Sequence, residues 1–309
     1  MTRDDAAANA AAALAAVLFG ASVVAVRIAV REVPPLPLAL LRFGIGSAVL
    51  FLGLVVARRD LLVIDRRDVL HLALLGVVLF TIFPITFNVG MRYTEASRGA
   101  LLLASMPLWS LILARLVARD ALSARQVLGV VTSIAGVAIV MADRGASGSG
   151  ADGSLRGDAL LIGTALSGAL YNVLAKPMLR RYAGLTVTFY AMAFGALFLV
   201  PATLAGGMPS VPSPSGETIA MVLFLGVFGG AVGFSLWTAA LRRLSPTQVA
   251  VYINLNPIAA TLLAATLLHE RLSRAFILGF IAVVAGVMIV NWTRAPGPTA
   301  RPNGEVAEG

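Results

Sequence analysis

The sequence contains no cysteine, which removes disulfides, thiolate nucleophiles and cysteine metal sites. Charge is scarce: 13% of the 309 residues are Asp, Glu, Lys or Arg, against about 25% in soluble globular domains. The two histidines, His71 and His269, sit at unrelated positions, and no HExxH, P-loop or acidic pair occurs. The convergent groups of an enzyme or metal centre are therefore missing, and neither a metal nor another cofactor is expected. Lysine is nearly absent: of 24 basic residues, only Lys176 is lysine. No run alternates apolar and polar residues as a half-buried strand does.

What is present is apolar. Residues of hydrophobic type make up 59%, and mean hydropathy is +0.90. A water-soluble core of this size cannot hide that much surface, so the composition excludes a soluble domain, a disordered chain and a coiled coil. It fits a polytopic all-α membrane protein in a lipid bilayer. The net charge of +9 would point to nucleic acid in a soluble protein. Here the basic residues lie between apolar runs and read as topology signals, so no nucleic-acid partner is expected.

About 20 apolar residues cross ~30 Å of hydrocarbon. Ten such stretches are legible, at 10–30, 37–57, 69–90, 96–118, 124–142, 157–176, 184–205, 217–240, 247–268 and 274–292. Residues 143–156 form a Gly/Ser-rich linker, and the tail 293–309 reads as disordered. The start loosely resembles a signal peptide, but Asp4 and Asp5 spoil the basic region, so it reads as an uncleaved first span. Ser123–Gln126 and Ser245–Gln248 fit helix capping boxes.

The strongest signal is an internal repeat. A shift of 150 aligns the halves without a gap, with 14 identities over positions 91–140. Arg92 falls on Arg242, Pro107 on Pro257, Asp120 on Glu270, Gly129 on Gly279 and Gly136 on Gly286. Each repeat holds five spans. Five is odd, so the second repeat enters the membrane inverted, an architecture of secondary transporters with the solute site between the halves. With the N-terminus inside, 15 basic residues fall on inside segments and 8 outside, which places both termini in the cytoplasm.

Three stretches, Leu18 to Val30, Leu38 to Leu50 and Gly90 to Val140, with the second copy at Ala240 to Val290, resemble the drug/metabolite transporter superfamily, specifically chains with two EamA domains. One departure is Asp120, where the family usually has Glu. The resemblance implies a ten-helix carrier of the bacterial inner membrane. It also implies export of amino acids or other small metabolites, with repeats at 10–142 and 157–292 and a cytoplasmic N-terminus at 1–9.

Pro107, Pro257 and Pro84 each lack an amide hydrogen and should kink their spans, giving hinges for gating or static bends for packing. Tyr252, Asn254 and Asn256 lie in one span. Their first-repeat equivalents, Leu102, Ala104 and Met106, are apolar; this asymmetry suits a solute site, although helix-to-helix hydrogen bonding is an equal reading. Tyr171, Asn172, Asn88, Trp237, Trp109 and Ser22 supply the aromatic walls and few polar groups of a small-molecule pocket. Arg42 is the one charge inside a span; it either snorkels outward or attracts a solute carboxylate. Asp120, Glu270, Arg92 and Arg242 read as structural charges, with proton coupling at Asp120 and Glu270 as the sharper alternative. The glycine pairs on the fifth and tenth spans allow close packing within the chain or a homodimer face. An uptake permease and a non-transporting membrane receptor or scaffold are the competing functions.

Overall fold

The computed structural model describes residues 3–118, 123–143, 150–205, 214–241, 252 and 255–291. All regular structure among them is helical. The first half contains α1 (Arg3–Ala29), α2 (Pro35–Ala57), α3 (Val69–Gly76), α4 (Phe83–Tyr93), α5 (Ala96–Ala104), α6 (Met106–Ala118) and α7 (Ala124–Ala142). The second contains α8 (Gly150–Leu174), α9 (Lys176–Arg181), α10 (Gly184–Ala205), α11 (Gly216–Phe224), α12 (Gly233–Leu241), α13 (Leu255–Leu267) and α14 (Arg274–Asn291).

Among the described residues eight helical runs are long and apolar enough to cross a membrane, and two shorter apolar helices, Leu255–Leu267 and Arg274–Val290, follow them. The sequence predicts ten spans. The difference lies in the last two, and the predicted start of the ninth at residue 247 falls outside the described residues. Helix α8 also begins at Gly150, inside the stretch read as linker. Large apolar side chains face outward, with Val56 85% and Leu70 81% exposed. A surface of that kind needs lipid rather than water.

Two spans contain π-helical segments at repeat-equivalent positions. Val77–Ile82 joins α3 to α4, and Leu225–Val232 joins α11 to α12. In the first, the Phe83 amide reaches back five residues to the Val78 carbonyl. Pro84 follows at once and has no amide hydrogen to contribute. Ser167 on α8 donates to the same Val78 carbonyl at 2.6 Å. In the second, glycines 226, 229, 230 and 233 take the place of the proline.

The halves pack crosswise. A Cβ on Gly76 of α3 would meet the Ala191 carbonyl of α10 at 2.6 Å, and one on Gly226 would meet Ile45 Cγ2 of α2 at 2.6 Å. The two contacts correspond with the halves exchanged. Helices α7 and α14 meet through their glycines. A Cβ on Gly129 would lie 2.7 Å from the Gly286 carbonyl, and one on Gly136 would lie 2.7 Å from the Gly279 carbonyl. Only glycine permits this approach. These glycines are therefore used inside the molecule, not on a face between two copies.

Polar contacts tie the ends of the bundle. At one end Arg98 and Asp158 form a buried ion pair, with Nε to Oδ1 at 2.9 Å. The same guanidinium donates to the Asp143 and Met141 carbonyls at 2.8 and 3.2 Å. At the other end Asp68 accepts from Arg181 at 2.7 Å and from the Tyr182 hydroxyl at 2.6 Å. Ser123 and Gln126 form the predicted capping box on α7. Its repeat-equivalent, Ser273, accepts from the Phe276 amide at 2.9 Å and so caps α14. The predicted box at Ser245–Gln248 lies outside the described residues.

Candidate functional site

At the π segments the spans bring aromatic rings together. Phe43 of α2 meets Phe80 edge-on at 5.1 Å. Phe80 meets Phe234 of α12 at 5.8 Å and Tyr171 of α8 at 6.4 Å. Phe234 meets Phe19 of α1 at 5.1 Å, and Phe19 meets Trp237 at 6.2 Å. Five spans thus contribute to one continuous aromatic array. Phe80 belongs to the first π segment and Phe234 follows the second by two residues, and such segments recur at functional sites.

Arg42 stands at one end of this array. It is buried, at 8% exposure, so it is turned inward and does not snorkel. Its guanidinium carbon lies 4.9 Å from the centre of the Phe43 ring. Its Nε has no hydrogen-bond partner among the described residues, and no acidic side chain acts on it. A cation–π contact returns about 0.5–2 kcal/mol, whereas placing an arginine at the centre of a membrane helix costs about 2.5–3.5 kcal/mol. The protein leaves that charge largely uncompensated.

The other predicted residues do not form one cluster. Tyr171 joins the array. Trp237 and Tyr252 pack together with Ala8, Ala12 and Ala240, and the Tyr252 hydroxyl donates to Asn9 Oδ1 at 2.8 Å. Ser22 packs under Gly229 and bonds the Leu18 carbonyl at 2.8 Å. Asn88 is fully buried; its amide donates to the Pro35 carbonyl at 2.9 Å, while its Oδ1 is unpartnered. Asn172 is exposed and donates to Ser110 at 3.1 Å. The Asn256 carbonyl lies against Gly20 of α1. Arg92 is exposed in the last turn of α4. Asn254, Asp120 and Arg242 lie outside the described residues.

The helix breaks are where proline demands them. The fourth span is interrupted at Ser105, two residues before Pro107. Ser105 Oγ bonds the Leu102 carbonyl at 2.6 Å and accepts from Trp109 Nε1 at 3.1 Å. The sixth span breaks at Ala175, two residues before Pro177. Pro257 sits buried in the first turn of α13. Beside the Ser105 break is an apolar cavity of about 250 Å³, whose lining includes Trp109, Ile112, Ile134, Met141 and Ile162.

Glu270 holds α5 of the opposite half. It accepts from the Ala96 and Ser97 amides at 2.7 and 2.9 Å and from Ser97 Oγ at 2.6 Å. A carboxylate at a helix N-terminus satisfies free amides and complements the helix dipole. Glu95, part-buried in the turn just before α5, is pushed up to about 7 by burial and by the Glu270 charge, against Arg27 and Arg98.

Residues 7–142 and 155–292 each match the family model described as the EamA-like transporter family. The chain belongs to the EamA-like transporter family. Among related EamA-like chains, an uncharacterized transporter of Archaeoglobus fulgidus is 28% identical over 281 residues, covering 90% of this chain and 94% of that one. A protein of Streptantibioticus cattleyicolor, named a probable terminal-alkyne amino-acid exporter, is 29% identical over 225 residues, covering 73% of this chain and 74% of that one. A solved crystal structure superposes with a TM-score of 0.65 at 19% identity, covering 92% of this chain and 96% of that one. That likeness speaks to fold alone. As a family member with its apolar helices, the protein is a multi-pass membrane transporter.

The aromatic array escapes sequence reasoning. Its rings come from separate spans, and Phe80 and Phe234 carry no motif. The Arg98–Asp158 pair escapes as well, because 60 residues separate the two and no motif joins them.

Proposed function

We propose that the protein is a secondary carrier of a bacterial inner membrane, with ten spans arranged as two inverted five-helix repeats at 10–142 and 157–292 and both termini in the cytoplasm. One observation carries the reading. Gly129 meets Gly286 and Gly136 meets Gly279, so residue numbers rise along α7 as they fall along α14. Repeat-equivalent helices therefore run antiparallel across their contact, as inverted repeats require.

The solute is an amino acid or other small metabolite, moved outward by alternating access. The name of the Streptantibioticus relative supports export of amino acids. The two halves rock about the space between them, bending at the Ser105–Pro107 break, at Pro257 and at the π segment before Pro84. Arg42, Tyr171 and Trp237, joined through the aromatic array, form the solute-binding core, with Tyr252 and Asn256 near one end.

Solute counterflow in proteoliposomes tests this. Vesicles preloaded with single amino acids, nucleosides, sugars or polyamines are compared with protein-free vesicles for tracer entry. Accelerated exchange of one class is the expected result. No exchange of any class by folded protein overturns the carrier reading. Loss of directional efflux from cells lacking the protein separates export from uptake.

A further inference from the structure

We infer that the solute is held by its carboxylate on Arg42 with its apolar body against the Phe43–Phe80–Phe234–Tyr171 rings, so that the carboxylate is required for recognition and an amino group is not. The inference rests on the carrier reading.

Three observations meet at this place. Arg42 is more than nine-tenths buried, with Nε free of any partner among the described residues. Among the described residues no acidic side chain acts on it, whereas Arg98, also buried, has a carboxylate and two carbonyls to itself. A guanidinium whose Nε has no acceptor among the described residues matches a planar two-oxygen anion better than any other small group. The neighbouring side chains are aromatic and closed on one another, with Phe43 4.9 Å from the guanidinium carbon, Phe80 5.1 Å beyond it, and the two 3% and 1% exposed. The face they offer to the rest of the solute, once the two halves part, is apolar. Among the described residues no carboxylate side chain stands in the array to receive an ammonium group.

The test uses purified full-length protein in liposomes and solutes that share a body but differ in head group. One set is 3-phenylpropionate, phenylalanine and phenethylamine; the other is 4-methylvalerate, leucine and isoamylamine. Binding is read by tryptophan fluorescence and transport by counterflow. The acids and amino acids should bind and exchange, and the amines should do neither. Arg42→Gln should weaken acid binding at least tenfold, with Arg42→Lys in between because a point charge replaces the fork. Amines that exchange as well as acids overturn the inference, as does an Arg42→Gln protein that binds acids within twofold of wild type. The head-group comparison needs only wild type, so it decides the matter even if the variants do not fold. Silence from every solute in both sets, with folded protein, overturns the carrier reading for amphipathic solutes instead, and this inference with it.

Discussion

Gly136 of the first half lies directly against the backbone of Gly279 in the second, and a Cβ built on Gly136 would sit 2.7 Å from that carbonyl oxygen. The same crowding recurs one turn pair away at Gly129 and Gly286. The seam between the fifth and tenth spans thus brings backbone against backbone, with Val140, Ser133 and Val290 packed beside the glycines.

Gly136→Ala should therefore destabilise the protein. Overpacking a tight site costs about 1–3 kcal/mol, and here the obstacles are main-chain atoms that cannot rotate away. The midpoint of thermal unfolding in detergent should fall. Gly163→Ala is the control, because nothing lies within 4 Å of a Cβ at that position. Equal midpoints for the two variants contradict the seam.

Arg98→Ala should be the most damaging single charge deletion. It would leave Asp158, which is 0% exposed, without its partner. Breaking a buried pair from one side costs about 3–5 kcal/mol. The double variant Arg98→Met with Asp158→Leu should recover much of that loss. A double-mutant cycle on thermal midpoints measures the coupling, and additive losses contradict it.

Glu270→Ala should shorten or fray α5. Three hydrogen bonds from Ala96 and Ser97 end on that carboxylate, and a lost helix cap costs about 0.5–2 kcal/mol. Glu270→Gln keeps one acceptor oxygen and should lose less. Hydrogen exchange of the α5 amides reports the change locally, and unchanged protection at residues 96–99 speaks against the cap.

Stability should fall with rising pH through a single step set by Glu95. Its folded pKa is about 7, raised from 4.5, so the folded chain keeps the proton where the unfolded chain has lost it. The contribution is complete below about pH 4.5 and disappears as pH passes 7. Thermal midpoints between pH 5 and 8 should decline in the wild type and flatten in Glu95→Gln. A rising wild-type midpoint, or equal slopes, contradicts this.

The repeat was legible because proline, glycine and acidic residues seldom coincide by composition, so register survives in a sequence of Leu, Val and Ala. What register does not contain is the axis. The alignment pairs Gly129 with Gly279 as equivalents, yet in space Gly129 meets Gly286. A glycine stripe alone therefore left open whether its partner was this chain or another copy. Glu270 shows the same gap: its place at the end of a span was readable, but its helix lies 174 residues away. Tyr252 read as a solute contact by its asymmetry, and its hydroxyl is engaged by Asn9. The aromatic array was hidden for a related reason. Phenylalanines scattered through apolar spans look alike whether they face lipid or one another.

The crosswise packing has a consequence for synthesis. Gly76 needs Ala191, Ser123's helix needs α14, and Arg98 needs Asp158, so the first half cannot complete its own interior. At roughly 5–20 residues per second, the 150 residues that separate equivalent positions take the ribosome on the order of 10–30 s. For that interval the glycine face of α7 waits in the bilayer for α14, and the Arg98 guanidinium, 60 residues ahead of Asp158, waits about 3–12 s. The insertion machinery, or lipid standing in for protein, has to hold them until the second half arrives.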